Sequence, residues 1–286
     1  MFDYDPQKPL DLQEHHRWNG EGVEVRDISY ASPLGGRVPA LLILPQGQGP
    51  FAGLLYLHPG GNGLGRHSFL QEASLVAQAG TAALLVAAPY ARAEERPVFQ
   101  FNQQDRSDFI QAVVDLRRGV DLLAARTDID PDRIGCVGFS YGAVLAALLA
   151  GVEERLRAYL IWAGGAYLAP MLRSLAKTLS PVELENYLEQ MAVFDPVDHI
   201  GRAAPAALLF QNGRQDQGLP QTEVEALYQA ASQPKQIAWY AAGHALNGRA
   251  CQDRFAWLQE QLGLNPLPAD LLRALGKFKL KQMVRR

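Results

Sequence analysis

What most constrains the fold of this chain is a repeated unit: a short unbroken apolar run, a turn carrying Gly or Pro, and a longer segment with apolar residues at helical spacing. AGLLYLH (52–58) leads to HSFLQEASLVAQAG (67–80), which ends on a Gly stop, and TAALLVAAP (81–89) leads to DRSDFIQAVVDLRRGVDLLAAR (105–126). DRIGCVGFS (132–140) runs into the small-residue helix YGAVLAALLAG. AYLIWAGG (158–165), AALLFQNG (206–213) and KQIAWYAAG (235–243) supply three more runs, the last preceding a helix over 247–262. Continuous apolar strands alternating with helices predict an α/β fold, with a mostly parallel sheet covered on both faces. Ahead of this, VEVRDISYA (23–31) alternates like a half-exposed strand. VPALLIL (38–44) reads as its antiparallel neighbour across the Pro-Leu-Gly-Gly turn at 33–36. The expected sheet has eight strands.

Two segments break the alternation. Residues 166–204 are helical in pattern and rich in Met, Leu, Tyr and Phe, yet lie between the sixth and seventh strands, so they are expected to form a helical cap over the carboxyl edge of the sheet. Residues 264–286 carry Arg273, Lys277, Lys279, Lys281, Arg285 and Arg286 against Asp270. Such a basic tail serves as a solvated helix or docking arm, and would meet an anionic surface or a second subunit of a homo-oligomer. With residues 1–21 as an N-terminal extension, the expectation is one domain spanning 1–286.

The charge balance, −3 overall, gives no footprint for a polyanionic partner, and nucleic-acid binding is not expected. Two cysteines, Cys136 and Cys251, do not make a disulfide framework, and no Cys/His cluster has zinc spacing. The polar, acidic start MFDYDPQKPLDLQEHH is unlike a secretory signal. The longest apolar runs are of strand length, short of the roughly 20 residues that span a bilayer. A cytoplasmic, reduced protein without metal or organic cofactor is the expectation.

Chemistry concentrates in Gly138-Phe139-Ser140-Tyr141-Gly142, a Gly-x-Ser-x-Gly motif set where a buried strand ends and a helix begins. A turn that tight excludes side chains two residues either side, lifts the Ser140 hydroxyl above the sheet and puts a helix N-terminus beneath it. A serine hydroxyl is a weak nucleophile and needs a base and an orienting acid.

On this motif and its setting, residues 22–262 resemble the α/β-hydrolase superfamily, and within it the dienelactone-hydrolase and prolyl-oligopeptidase-like esterases. The resemblance implies the chain order Ser, acid, His. Asp216, in QNGRQDQGLP after the penultimate strand, matches the acid; Asp195 and Asp198, in FDPVDHI before that strand, are rivals. His244, in AAGHAL after the last strand, matches the base, whereas His15, His16, His58, His67 and His199 all precede Asp216. The family's His-Gly segment corresponds to His58-Pro59-Gly60-Gly61. Pro59 has no N–H, so the implied oxyanion donors are Gly60 or Gly61 together with Tyr141, while His58 braces the loop.

The resemblance implies a serine hydrolase that cleaves carboxylic esters of small or medium acyl groups through an acyl-enzyme. Dienelactone hydrolases carry Cys at the elbow and dehalogenases Asp, where this chain has Ser140; oligopeptidases of this fold add a propeller for which 286 residues leave no room. A peptidase or thioesterase with the same triad is the alternative, and a non-catalytic binding protein of the same fold a third. For the substrate pocket, Tyr167, Leu168, Met171, Leu172, Tyr187, Met191 and Phe194 of the insertion and Tyr90 and Arg92 after the fourth strand are candidates, Arg92 as an anchor for a carboxylate; plain packing is the competing role for each.

Overall fold

The apolar runs pair into a single sheet, described in a computed structural model over residues 1–93 and 96–278. Its strands are β1 (Gln13–Gly20), β2 (Val23–Ala31), β3 (Arg37–Pro45), β4 (Phe51–Leu57), β5 (Thr81–Val86), β6 (Ile129–Phe139), β7 (Ala158–Trp162), β8 (Ala207–Gly213) and β9 (Lys235–Tyr240). Across the sheet the order is β1-β2-β3-β5-β4-β6-β7-β8-β9. The pairs from β1 to β5 are antiparallel, and every pair from β5 onward to β9 is parallel. The turn at 33–36 closes the β2–β3 hairpin with Ala31 opposite Arg37, and Gly35 and Gly36 take the positive φ angles that it needs.

Among the described residues the sheet has nine strands, not the eight expected. The additional one, β1, lies inside the segment read as an extension. QEHHRWNG carries no apolar alternation because this edge strand is exposed along nearly its whole length. Backbone pairing with β2 holds it, helped by charges: Arg17 bonds Glu14 of its own strand at 2.8 Å and Glu24 across the pair at 3.4 Å.

The helices are α1 (Leu70–Ala77), α2 (Gln103–Ala124), α3 (Tyr141–Ala150), α4 (Ala169–Leu175), α5 (Pro181–Met191), α6 (Gln221–Ala230), α7 (Gly248–Leu262) and α8 (Ala269–Gly276). Side-chain alternation along β4 divides them between two cores. Leu55 and Leu57 face the apolar residues of α2 and α3, whereas Leu54 and Tyr56 face those of α1, α7 and α8. Caps set the ends: Asn102 accepts from the Gln104 N–H at the start of α2, Asn247 from Ala250 at the start of α7, and Gly263 ends α7 in the left-handed conformation.

Residues 166–204 are helical, as the pattern predicts: α4, α5 and three short 3-10 turns. Their apolar residues point inward. Leu168, Leu172, Met191 and Phe194 are buried in the core shared with α2 and α3, which is the packing role and not an open pocket. The tail begins as a docking arm: α8 buries Leu275, Phe278 packs behind it, and Gln252 of α7 donates to the Leu272 carbonyl. Arg273 and Lys277 are exposed; Lys279, Lys281, Arg285 and Arg286 lie outside the described residues. Among the described residues no helix is long and apolar enough to cross a membrane.

Candidate active site

Strand β6 ends at Phe139 and α3 begins at Tyr141, so Ser140 makes the whole turn between them, with φ 55° and ψ −113°. A non-glycine residue held there costs on the order of 1–3 kcal/mol. The surroundings enforce it: the Ser140 N–H donates to the Trp162 carbonyl at 2.9 Å, and the Ser140 carbonyl accepts from Ala143 and Val144. Close approach explains both glycines of the motif. A Cβ on Gly142 would collide with the Leu57 carbonyl, and one on Gly138 with the Gly142 carbonyl.

The loops after β8 and β9 bring the other two residues to this edge. His244 Nε2 lies 2.9 Å from Ser140 Oγ, and His244 Nδ1 lies 2.6 Å from Asp216 Oδ2. The other Asp216 oxygen accepts from the backbone N–H groups of Gly218 and Leu219, at 2.9 and 3.2 Å. Burial pushes the Asp216 carboxyl upward, but the bond and charge of His244 and those two N–H groups outweigh it and hold the group below the usual carboxylate range. An ionised Asp216 keeps the proton on Nδ1 and leaves Nε2 free to accept from Ser140. Trp162 Nε1 donates to the His244 carbonyl at 3.3 Å, and the Phe139 ring lies 5.1 Å from the imidazole. Of the rival acids, Asp195 accepts from the Leu168 N–H at 2.7 Å, with burial raising it to about 6, and Asp198 sits in the turn beyond it.

The loop facing Ser140 is fixed from behind. The Ala88 N–H donates to His58 Nε2 at 3.0 Å, so the ring carries its proton on Nδ1, which donates to the Pro59 carbonyl at 2.9 Å. Tyr90 donates its hydroxyl to the same carbonyl at 2.8 Å. Gly60 lies against Tyr141 and Val98. Tyr90→Phe is therefore expected to lower kcat about tenfold, the value of one buried hydrogen bond, while leaving KM and fold intact; equal kcat in the two proteins would deny Tyr90 any hold on the loop.

Burial drives the His58 pKa down to about 4, so the folded protein keeps this ring neutral. The unfolded chain takes up a proton near the ordinary value of about 6.5 and the folded one does not, so folding loses stability as pH falls from about 6.5 to about 4. The loss is on the order of 3 kcal/mol at the acid end. Melting curves at pH 7.5 and 5 should show a steeper fall for wild type than for His58→Gln; parallel falls would contradict this.

The residues proposed for substrate contact are placed differently. Arg92 is no free anchor: it binds Asp115 Oδ2 at 2.6 Å and the Ala87 carbonyl at 3.1 Å, along a cleft of 1190 Å³ beside Gly61. Tyr90 also borders that cleft, but it is buried and its hydroxyl is spent on the loop. Tyr167 is exposed, with its N–H bound to Glu223, and Met171 packs against the core. Sequence reasoning missed Trp162, which reads only as an aromatic in an apolar strand, and it assigned Tyr90 to the substrate pocket and not to the support of the loop. Among the described residues no cluster of His, Cys, Asp or Glu is placed to hold a metal ion.

Comparison with known proteins gives this geometry a context. No curated protein matches the chain. Among solved structures it is similar to an acetyl xylan esterase from Paenibacillus sp. R4, with TM-score 0.71 and 21% identity over 90% of each chain. It is likewise similar to acetyl xylan esterase 1 from Thermoanaerobacterium sp. JW/SL YS485, with TM-score 0.67 and 17% identity over 88% of each. A third similarity, TM-score 0.67 and 17% identity, is to a prolyl endopeptidase structure, covering 87% of this chain and 40% of that one. These likenesses establish the α/β-hydrolase fold. The profile of the prolyl oligopeptidase family matches residues 100–264. Since that match takes in the elbow, Asp216, His244 and more than half of the sequence, the chain belongs to the prolyl oligopeptidase family and is a hydrolase.

Proposed function

We propose that the protein hydrolyses carboxylic esters through an acyl-enzyme on Ser140. The observation that carries this reading is the hydrogen-bonded line from Asp216 through His244 to Ser140, at 2.6 and 2.9 Å. His244 Nε2 takes the hydroxyl proton as Ser140 Oγ attacks the ester carbonyl, and Asp216 stabilises the imidazolium that forms. The developing oxyanion is received by the backbone N–H groups of Gly60 and Tyr141, two residues that lie against one another. His244 then protonates the leaving alcohol, and a water activated by the same imidazole releases the acid. Residues 166–204 serve as the cap of a single hydrolase domain. The substrate is a small-molecule ester, and the free, buried thiols of Cys136 and Cys251 support a cytoplasmic setting.

A fluorophosphonate probe tests the site. It should label Ser140 stoichiometrically, and folded protein that fails to label would make the chain a binding protein of hydrolase fold. Matched p-nitrophenyl ester, thioester and anilide substrates test the bond cleaved, with the ester expected fastest; a faster anilide would assign a peptidase.

A further inference from the structure

The geometry points to Val98 and Phe101 as the wall that limits the length of the acyl group, an inference that rests on the ester-cleaving reading above. Along the carboxyl edge of the sheet the segments follow the strand order. The loop after β5 comes first, then the Gly60 loop after β4, Ser140 after β6, and finally Asp216 after β8 and His244 after β9. The leaving oxygen must sit beside His244 Nε2, which protonates it, and the carbonyl oxygen must face Gly60 and Tyr141. The remaining substituent on the carbonyl carbon, the acyl chain, is directed away from His244 and toward the loop after β5.

That loop presents Val98 and Phe101. The two Val98 methyls lie 3.3 and 3.4 Å from where a Cβ on Gly60 would stand, directly against the donor loop. Phe101, half-buried with φ 55°, packs 5.3 Å from the Tyr187 ring of α5 and 6.2 Å from Phe99. One buried carboxylate holds the stretch rigid. Asp105, 1% exposed at the start of α2, accepts from the Gln100 N–H at 2.9 Å and the Phe101 N–H at 2.7 Å. Its second oxygen also accepts the Tyr187 hydroxyl at 2.7 Å, so the same group ties the loop to the insertion. A wall clamped at three points cannot withdraw to admit a longer chain, and a pocket wall discriminates by about 10- to 200-fold per methylene.

The test is kcat/KM for p-nitrophenyl esters from acetate to octanoate, in wild type, Val98→Ala and Phe101→Ala, with active sites titrated by fluorophosphonate. Wild type should prefer the short esters. Truncation of either residue should raise the octanoate-to-acetate ratio at least tenfold per titrated site. A ratio within twofold of wild type in both variants, or a wild type that favours octanoate, overturns the wall. Failure of the underlying reading looks different: wild-type protein that neither labels nor turns over any ester.

Discussion

Ser140→Ala is expected to lower kcat for a p-nitrophenyl ester by about 10⁶, the scale of loss when the nucleophile of such a triad is removed. The expectation follows from the coupling of the three groups. His244 has no acyl-enzyme to form or release unless the Ser140 hydroxyl at 2.9 Å attacks first, and Asp216 acts only by way of His244 Nδ1 at 2.6 Å. The double variant Ser140→Ala/His244→Ala should therefore be scarcely slower than Ser140→Ala alone. Asp216→Asn should cost less, about 10⁴, because the imidazole survives in the wrong tautomer. The melting temperature of Ser140→Ala should stay near wild type, since alanine suffers the same strain at φ 55° and the hydroxyl supports no other bond of the elbow. Retention of more than about a hundredth of wild-type kcat would exclude Ser140 as the nucleophile, because residual catalysis from binding and the oxyanion donors lies far below that.

The parts of this molecule that were legible in its sequence are those where one physical requirement acts alone. Strands β4, β5, β7 and β8 and the second half of β6 are buried on both faces, so an unbroken apolar run such as TAALLV has a single reading. Gly138 and Gly142 are fixed by backbone contacts at a turn with one nucleophile between them, which makes the elbow visible as five consecutive letters. Strand β1 was invisible because its stabilisation is backbone pairing plus exposed ion pairs, neither of which leaves a periodic apolar trace. Arg92 reads as a free cation at a catalytic edge. Only the fold shows Asp115, about three turns into α2, already bound to it. The supporting roles of Tyr90 and Trp162 are hidden for a related reason: the bonds that give them a task reach Pro59 and His244, partners 31 and 82 residues away.

Arg254→Met is expected to be the most destabilising exchange of a residue that touches none of the triad, at about 3–5 kcal/mol, because it strands a buried carboxylate. Arg254 is 2% exposed and Glu72 is 1% exposed, and they meet in a bidentate pair: Nε to Oε1 at 2.9 Å and a terminal nitrogen to Oε2 at 2.8 Å. The other terminal nitrogen donates to Gln211 on β8 at 2.8 Å, and the guanidinium lies 4.2 Å from the centre of the Trp162 ring. For a domain of this size that loss corresponds to a fall in melting temperature of about 10 °C. Glu72→Leu should cost a similar amount by leaving the cation buried alone. The double variant Glu72→Leu/Arg254→Met removes both charges, and it should recover at least half of either loss, since a buried pair offsets little more than its own desolvation. Activity should not recover with stability. Trp162 donates to the His244 carbonyl at 3.3 Å, so losing the cation over its ring loosens the base, and kcat in the double variant should stay several-fold below wild type with KM unchanged. Strictly additive melting shifts in the double variant would show that the two charges do not stabilise one another, and full kcat would separate the buried pair from the site above it.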